Sequence, residues 1–564
     1  MAAADVRREA AAWIAADPDE DDRAELAALL AEDDAAATAE LADRFARRLS
    51  FGTAGLRGAV GAGPNRMNRA TVTVASAGLA AWLAGRDPAA AEAGVVVGYD
   101  ARHRSAEFAA QTARVLAGAG IRVHLLPGQQ PTPLLAYAVR YFGAAAGVMI
   151  TASHNPPGDN GYKVYLRDGA QIAPPADADV EAAIGVVGPP SDVPVAPADS
   201  PLISQAGDEV AQAYLDAVCG ELRPAPASSA WLRLVYTPLH GVAGQLALRA
   251  FEQAGYPRPD LVAAQFDPDP DFPTVRFPNP EEPGALDLAL AQARRSGADL
   301  VIANDPDGDR LAIAVPDQAA PGGYRQLTGD QVGAVLGSFL LGRAAADPTA
   351  MMSEQLVAST VVSGSLLPKI AAAAGAPYAR TLTGFKWIVR AADLRADVRF
   401  CYGYEEALGY AVTAAVRDKD GISAALAVLT VAATGWSAGQ SLQDVYDALE
   451  ARHGVHVTAQ LSVTTEATID IMSRLRAAPP PDLDGEPVVA VTDYTSASDL
   501  PSADMLGYQL PGARVVIRPS GTEPKIKAYL EVVEPVTDRT LASARQAADA
   551  RVSRLRAAVA ELLA

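Results

Sequence analysis

Short apolar runs alternate with alanine-rich helical stretches through most of the chain after residue 50, and this alternation limits the possible folds more than any other feature. It predicts α/β domains with parallel or mixed sheets. Ligands bind beyond the carboxyl ends of the strands in such sheets, so the loops after the runs are the places to look for chemistry. The runs are residues 94–98, 145–150, 232–236, 300–303 and 398–402.

A length of 564 residues is too great for one hydrophobic core. At about 100–200 residues per domain, three or four domains are expected. Residues 1–49 predict a helical extension in which residues 18–22 separate two helices. Proline- or glycine-rich stretches at 174–201, 321–324 and 479–481 indicate boundaries. The predicted domains are residues 50–205, 206–320, 321–455 and 456–564.

The formal net charge of −20 disfavours nucleic acid and anionic membranes as general partners, because both are negatively charged. Two cysteines, Cys219 and Cys401, are too few for a disulfide framework or a zinc site and favour a reducing cytoplasm. Residues 1–8 lack the apolar core of a signal peptide. The longest apolar-rich run, residues 422–433, is shorter than the roughly 20 residues that span a bilayer and predicts a buried helix.

The first loop that could carry chemistry is T-A-S-H-N-P, residues 151–156, directly after an apolar run. Ser153 can present its hydroxyl there, although a simple hydrogen-bonded turn is an alternative. A Ser-His-Asp hydrolase is disfavoured because the pattern G-x-S-x-G is missing. His154 is also adjacent in sequence, and neighbouring side chains on an extended segment are expected to point apart.

The second loop, D-P-D-G-D-R, places Asp305, Asp307 and Asp309 two residues apart, so their carboxylates can meet around a cation. Oxygen ligands alone favour Mg²⁺ or Ca²⁺. A calcium EF-hand is excluded because Arg310 stands where its glycine should be and Pro316 where its glutamate should be. Mg²⁺ suits phosphoryl transfer, and Arg310 can hold a phosphate. The alternative is a solvated acidic turn.

Three further segments carry weaker signals. Residues 403–410 contain Glu405 and Glu406, which can accept hydrogen bonds from sugar hydroxyls, although an exposed helix start is an equal alternative. Residues 518–525, R-P-S-G-T-E-P-K, form either a turn or an anion cradle. Residues 51–58, F-G-T-A-G-L-R-G, combine glycines with Arg57. No Walker loop is present, and the glycines at 51–58 do not follow G-x-G-x-x-G.

Taken together, these loops resemble the α-D-phosphohexomutase superfamily of phosphoglucomutases and phosphomannomutases. The resemblance covers nearly the whole chain from about residue 50, with the motifs in family order. G-Y-E-E-A-L-G-Y and R-D-K-D-G, residues 417–421, are most similar to the branch with the second type of vertebrate phosphoglucomutase, phosphopentomutases and hexose-bisphosphate synthases.

The resemblance implies four α/β domains around a central cleft, three of similar mixed α/β topology and a smaller C-terminal phosphate-binding domain. It implies a phosphorylated Ser153 and one Mg²⁺ held by Asp305, Asp307, Asp309 and an oxygen of the serine phosphate. A hexose bisphosphate is the implied activator. The other implied residues are Lys163 as general acid/base assisted by Arg57, Arg310 at the transferring phosphate, Glu405, Glu406 and Lys386 at the sugar, and Arg518, Ser520, Gly521 and Thr522 at the second phosphate.

Two positions depart from the family pattern. Ala407 replaces a serine of many phosphoglucomutases, and residues 383–387 contain Lys386 where many phosphomannomutases have histidine. The expected reaction is interconversion of hexose 1-phosphate and hexose 6-phosphate, with phosphopentomutase or hexose-bisphosphate synthase as alternatives. A metal-dependent phosphatase and an inactive sugar-phosphate binding protein are two further alternatives, which the retained mutase motifs disfavour.

Overall fold

The structure is a computed structural model and describes residues 3–52, 55–222, 231–393, 395–465, 467–496, 499–520, 525–537 and 539–564. The chain forms two compact units. The first contains the residues up to 326 and residues 409–430, and the second contains residues 327–408 and 431–564.

The chain begins with three helices, α1 (Ala3–Ala16), α2 (Glu20–Ala31) and α3 (Ala35–Arg44). The predicted break around Pro18 is present, and Asp19 caps α2 by accepting hydrogen bonds from the backbone of Asp21 and Asp22. The segment also contains a third helix, which the sequence did not predict: Asp34 caps it by accepting a hydrogen bond from the backbone N–H of Ala37.

A six-stranded mixed sheet follows. Its elements are β1 (Leu56–Ala59), α4 (Arg69–Arg86), α5 (Ala90–Ala93), β2 (Val95–Tyr99), α6 (Ser105–Gly118), β3 (Val123–Leu125), α7 (Thr132–Phe142), β4 (Ala146–Ile150), β5 (Asp159–Leu166), α8 (Ala176–Gly185) and β6 (Ile203–Gln205). The strand order is β1-β5-β4-β2-β3-β6. Strands β2, β3, β4 and β6 are parallel, whereas β5 and β1 are antiparallel to their neighbours.

A second mixed sheet completes most of the first unit. Its elements are α9 (Glu209–Leu222), β7 (Leu234–Thr237), α10 (Gly244–Ala254), β8 (Asp260–Leu261), α11 (Ala263–Phe266), α12 (Asp287–Ser296), β9 (Leu300–Asn304), β10 (Leu311–Pro316) and β11 (Tyr324–Gln326). The strand order is β11-β10-β9-β7-β8. Every residue of β9 is buried, as expected for a central strand that is covered on both faces.

The next part of the chain contains α13 (Gly329–Ala346), β12 (Gln355–Thr360), α14 (Leu366–Ala374), β13 (Tyr378–Thr381), α15 (Phe385–Ile388), β14 (Arg399–Glu405), β15 (Gly409–Ala411), α16 (Gly421–Ser437) and α17 (Leu442–His453). In the second unit, β13 and β14 both lie parallel to β12. A Thr328–Gln331 capping box begins α13.

The last part contains β16 (Val455–Thr464), α18 (Thr468–Ala477), β17 (Asp482–Leu483), β18 (Glu486–Pro487), β19 (Ala490–Asp493), β20 (Leu506–Leu510), β21 (Ala513–Pro519), β22 (Lys525–Glu534) and α19 (Leu541–Leu563). Its five-stranded sheet has the order β16-β22-β21-β20-β19, with every pair antiparallel. Helices α18 and α19 contribute to the core that covers it.

The predicted strands are confirmed, because β2, β4, β7, β9 and β14 each begin within two residues of a predicted run. The buried helix predicted over residues 422–433 is also confirmed, as part of α16. No single helix in the described part of the chain is long and apolar enough to cross a membrane. Helices α16 and α17 meet the length and composition test only as a pair bent by 89°.

Candidate active site

Ser153 lies just beyond β4 with a left-handed φ of 53°, which is uncommon for a residue other than glycine. Its backbone N–H donates to Thr151 Oγ1 at 2.8 Å and fixes the turn. Its hydroxyl donates to Asp305 Oδ2 at 3.0 Å. The serine predicted as nucleophile is therefore held against the first of the predicted metal ligands.

His154 does not point away from Ser153, so that expectation is wrong. Ser153 Oγ lies 3.0 Å from His154 Nδ1, because the left-handed conformation at Ser153 replaces the extended backbone on which the expectation rested. Burial, together with the guanidinium groups of Arg310 and Arg57, holds the pKa of His154 well below its usual value. The second ring nitrogen lies 3.5 Å from Arg310 instead of facing a carboxylate, so the arrangement is not a Ser-His-Asp triad.

The acidic loop between β9 and β10 brings three carboxylates together. One ligand oxygen from each of Asp305, Asp307 and Asp309 lies within 4.8 Å of the others, and all three residues are buried. Gly308 permits the turn with a φ of 74°. A Cβ atom added there would lie 2.9 Å from that of Ala243, so the loop requires glycine on steric grounds as well.

Two lysines partly offset this charge. Lys163 Nζ lies 2.7 Å from Asp307 and 3.1 Å from Asp309, and Lys419 Nζ lies 3.3 Å from Asp309. Burial and the neighbouring aspartates raise the pKa of Asp305 well above its usual value. Burial would also raise the pKa of Asp307, but the Lys163 ammonium lowers it below the ordinary range.

The acidic loop retains capacity for a cation. Asp307 Oδ1 and Asp309 Oδ1 are buried and have no hydrogen-bond partner among the described residues. Buried carboxylate oxygens without partners are costly unless a proton or a cation meets them. The donor set contains only carboxylates, so the cluster can bind a metal ion of the hard, oxygen-preferring kind.

Two arginines hold the serine loop. Arg57, on β1, donates to Asn155 Oδ1 at 3.0 Å. Arg102 is buried and donates to the carbonyl groups of Ser153 and Pro156, each at 2.7 Å. The sequence did not identify Arg102. Arg102 nevertheless lies in the loop after β2, which is the parallel neighbour of β4. Ligands bind beyond the carboxyl ends of such strands, so that loop was also a candidate for the site.

The other predicted residues of the first unit lie around the same centre. Arg310 pairs with Glu281 at 2.9 Å, and its backbone N–H donates to Asp305 Oδ1 at 3.0 Å. Lys163 lies on β5 opposite Met149, near the carboxyl end of β4 from which the serine loop follows. The sequence does not identify Lys419 as a site residue, although it lies in the motif R-D-K-D-G.

In the second unit, the predicted sugar-binding residues lie near the end of β14. Glu406 Oε2 accepts hydrogen bonds from Thr360 at 3.0 Å and from Ser363 at 3.1 Å. Burial, and after it the charges of Glu405 and Asp330, raises the pKa of Glu406 to about 7. Lys386 is buried on α15, with its ammonium 5.8 Å from the centre of the Trp387 ring.

The raised pKa of Glu406 predicts a pH-dependent stability. The folded state keeps its proton to about pH 7, whereas the unfolded carboxyl releases it near pH 4.5, so the free energy of unfolding falls as pH rises through this window. The expected loss is on the order of 3 kcal/mol. Glu406→Gln imitates the protonated form, so its melting temperature relative to wild type should be higher at about pH 8 than at about pH 5.

The surface residue Glu354, changed to Gln, is the matched control and should follow the wild type at both pH values. Equal differences between Glu406→Gln and wild type at the two pH values would show that Glu406 does not hold its proton as described.

The predicted phosphate-binding loop joins β21 to β22. Arg518 donates to the Tyr529 hydroxyl at 3.3 Å, and its guanidinium lies 5.7 Å from the centre of that ring. Arg518 Nε is buried without a partner among the described residues, so it can still donate to an anion. Ser520 closes the start of the loop by donating its backbone N–H to the carbonyl oxygen of Lys525 at 2.8 Å. Gly521 and Thr522 lie outside the described residues.

Comparison with known proteins finds four family models in order along the chain. The models of the phosphoglucomutase/phosphomannomutase alpha/beta/alpha domains I, II and III match residues 48–186, 212–319 and 328–453. The model of the phosphoglucomutase/phosphomannomutase C-terminal domain matches residues 463–548.

Several curated proteins are similar over most of their length. A probable phosphomannomutase of Haemophilus influenzae is 42% identical over 82% of this chain and 93% of its own. A probable phosphoribomutase of Schizosaccharomyces pombe is 36% identical over 92% of both chains. A phosphoglucomutase of Staphylococcus aureus is 34% identical over 88% of this chain and 92% of its own. A phosphoglucomutase/phosphomannomutase family protein from Burkholderia thailandensis shares the fold, with a TM-score of 0.66, 20% identity and coverage of 90% of this chain and 97% of that one.

The fold and the site define an enzyme that moves a phosphoryl group within a sugar phosphate. The chain belongs to the phosphoglucomutase/phosphomannomutase family, since the four domain models together match most of it. The resemblance seen in the sequence, the four-domain α/β architecture and the activity of a phosphosugar mutase are thereby confirmed.

Proposed function

We propose that this chain interconverts hexose 1-phosphate and hexose 6-phosphate through a phosphorylated Ser153 and a hexose bisphosphate. One observation carries the proposal: the Ser153 hydroxyl donates to Asp305 within a buried cluster of three aspartates. A nucleophile next to a cation site is the arrangement that phosphoryl transfer through a covalent intermediate requires.

In the proposed reaction, phosphorylated Ser153 gives its group to the free hydroxyl of a bound sugar monophosphate. The bond from Ser153 Oγ to phosphorus breaks, a bond from the sugar oxygen to phosphorus forms, and a bisphosphate results. Its other phosphate then returns to Ser153 by the reverse step. Arg310 supports the transferring phosphate, and Mg²⁺ held by Asp305, Asp307 and Asp309 would supply neutralisation of its negative charge.

The proton of the reacting hydroxyl needs a partner, and Lys163, assisted by Arg57, is proposed for this role. Burial alone would lower the pKa of Lys163, but Asp307 and Asp309 raise it above its usual value. The ammonium form can therefore protonate the Ser153 oxygen as the phosphoryl group leaves, and Lys163 takes up the proton of the sugar hydroxyl in exchange.

The second phosphate of the substrate is proposed to bind at Arg518, Ser520, Gly521 and Thr522, with Glu405, Glu406 and Lys386 near the sugar. The buried Arg518 Nε without a partner among the described residues supports this assignment, because a phosphate oxygen can accept its hydrogen bond. A hexose bisphosphate is proposed as the activator that first phosphorylates Ser153. The domain boundaries at residues 50, 206, 321 and 456 and a cytoplasmic location stay predictions.

The identity of the sugar is the most specific part of the proposal. Relatives named phosphomannomutase and phosphoglucomutase support a hexose, whereas the relative named phosphoribomutase supports a pentose. We expect a kcat/KM for glucose 1-phosphate several times that for ribose 1-phosphate, with some activity on mannose 1-phosphate, measured with Mg²⁺ and the matching bisphosphate. The ratio reports differential binding of the two transition states.

A ratio below one would replace the hexose assignment by phosphopentomutase and leave the chemistry at Ser153 unchanged. Net release of inorganic phosphate in the same assay would indicate a phosphatase. A Ser153 that stays unmodified in the presence of bisphosphate would indicate a binding protein without activity.

A further inference from the structure

The three N-terminal helices share a hydrophobic core with the segment that follows β1. Ala62 packs in that core with residues such as Leu26, Leu41 and Phe45. Its backbone N–H donates to Glu25 of α2 at 3.0 Å, and its carbonyl accepts from Arg44 of α3 at 3.1 Å. The helices therefore hold the chain just beyond the strand that carries Arg57.

The same helices have a second attachment at Arg104, the residue before α6. Its guanidinium lies 2.6 Å from Asp22 and 2.8 Å from each of Asp19 and Glu107. Asp19 and Asp22 are both buried, and burial raises the pKa of Asp22 to about 6. Two buried carboxylates and one partly exposed carboxylate around a single guanidinium are a costly way to stabilise a fold, because apolar packing of equal volume is often as stable. Such a cluster does fix the position of Arg104 relative to the N-terminal helices.

Arg104 lies two residues after Arg102, which donates hydrogen bonds to the backbone of the serine loop. Arg102 donates to the carbonyl groups of Ser153, Asn155, Pro156 and Asp159. Between the two arginines, His103 contacts Asp271 at 2.7 Å. The short segment from Arg102 to Arg104 thus joins the serine loop to the N-terminal helices.

We propose that the N-terminal helices α1, α2 and α3 position the phosphoserine loop, acting through Arg104 on Arg102 and through Ala62 on the strand of Arg57. This rests on the proposed role of Ser153. Arg57 and Arg102, which contact the loop, are each followed within five residues along the chain by a residue that these helices hold. A misplacement of about 1 Å at a reacting group can lower a rate by roughly 100-fold, so remote anchors of this kind act on turnover.

The test is the double variant Asp19→Asn and Asp22→Asn, which keeps the side-chain shapes and removes both charges by which the N-terminal helices anchor Arg104, while Glu107 stays in place. Turnover is expected to fall about tenfold while KM changes less than about twofold, because the phosphoserine loop and not the substrate contacts are displaced. The matched control is Asp5→Asn, which breaks an exposed pair with Arg8 on the same helices and should leave both constants unchanged.

A double-mutant cycle with Arg102 distinguishes a positioning role of the N-terminal helices from a role in stability alone. Because the anchor acts through Arg102, the effect of the double variant should largely disappear in an Arg102→Lys background. The proposal would be overturned if the double variant and Arg102→Lys lowered kcat by independent factors that multiply. It would also be overturned if the double variant lowered the melting temperature but left kcat per folded enzyme unchanged. Should the double variant fail to fold, Arg104→Lys, which keeps the charge and loses the planar fork, is judged by the same cycle.

Hydrogen exchange gives a readout that does not depend on activity. Amides of residues 151–159 should exchange faster in the double variant than in wild type or Asp5→Asn. Unchanged exchange would overturn the positioning role even where Ser153 proves essential. If Ser153→Ala instead retained activity, the proposed function would fail while the exchange result still reported on the anchor.

Discussion

Replacing Ser153 by alanine is expected to lower kcat by about three orders of magnitude or more, because the covalent route through phosphoserine is lost. The fold should persist. Both residues tolerate the left-handed φ of 53° about equally, and the turn is fixed by the backbone N–H of Ser153 on Thr151, which alanine retains. The Ser153 hydroxyl that the substitution removes forms hydrogen bonds only with Asp305 and His154 among the described residues, and both belong to the site and not to the hydrophobic core.

Intact mass spectrometry gives a second readout for Ser153. Wild-type enzyme treated with a hexose bisphosphate should gain the mass of one phosphate, and peptide mapping should place it on residues 151–156. Ser153→Ala should gain none. The control is Ser191→Ala, which removes an exposed hydroxyl from a surface turn of the same unit and should match the wild type. Near-normal turnover by Ser153→Ala would refute the assignment of the nucleophile.

Changing Asp305 to Asn is expected to lower activity by at least about 100-fold and to abolish binding of Mg²⁺. The reason is the donor set: three carboxylate oxygens lie within 4.8 Å, and removing one leaves too little negative charge to hold a hard cation. EDTA should stop the wild-type enzyme in the same way. Full activity after exhaustive chelation would contradict a metal-dependent site.

Thermal stability distinguishes a lost metal ligand from a damaged fold. Asparagine resembles the protonated carboxyl that burial favours at Asp305, so without metal the variant should melt at or above the wild-type temperature. Added Mg²⁺ should stabilise the wild type by mass action and leave the variant unchanged. Asp317→Asn, beyond the far end of β10, is the matched control and should respond to Mg²⁺ as the wild type does. An equal response by Asp305→Asn would show that Mg²⁺ binds elsewhere.

Much of the site could be predicted because its residues follow strands. Ser153 comes after β4, and Asp305 to Asp309 come after β9. Both strands are short apolar runs, which a sequence displays clearly, and the rule that ligands bind beyond carboxyl ends then selects the loops. The spacing of the three aspartates also determined that they could share one cation.

The errors and omissions have a common cause. The contact between Ser153 and His154 depends on a single left-handed residue, and no neighbouring residue type required that conformation. Arg102 and Lys419 each contact residues that are far away in the sequence. Arginine and lysine are also residue types that mostly lie on protein surfaces, so the sequence alone does not mark these two as part of a site. A basic residue shows its role only when the fold reveals which oxygen atoms surround it.

The sequence by itself determined the α/β class, the strands and the reactive loops, because apolar periodicity and local residue spacing are properties of neighbouring residues. Only the tertiary structure decided that Asp305 accepts the Ser153 hydrogen bond, that Lys163 and Lys419 share the charge of Asp309, and that the first helices reach Arg104. These contacts join groups tens or hundreds of residues apart. Their geometry follows from how sheets and helices pack around a core, and that packing is a property of the whole fold and not of any one segment.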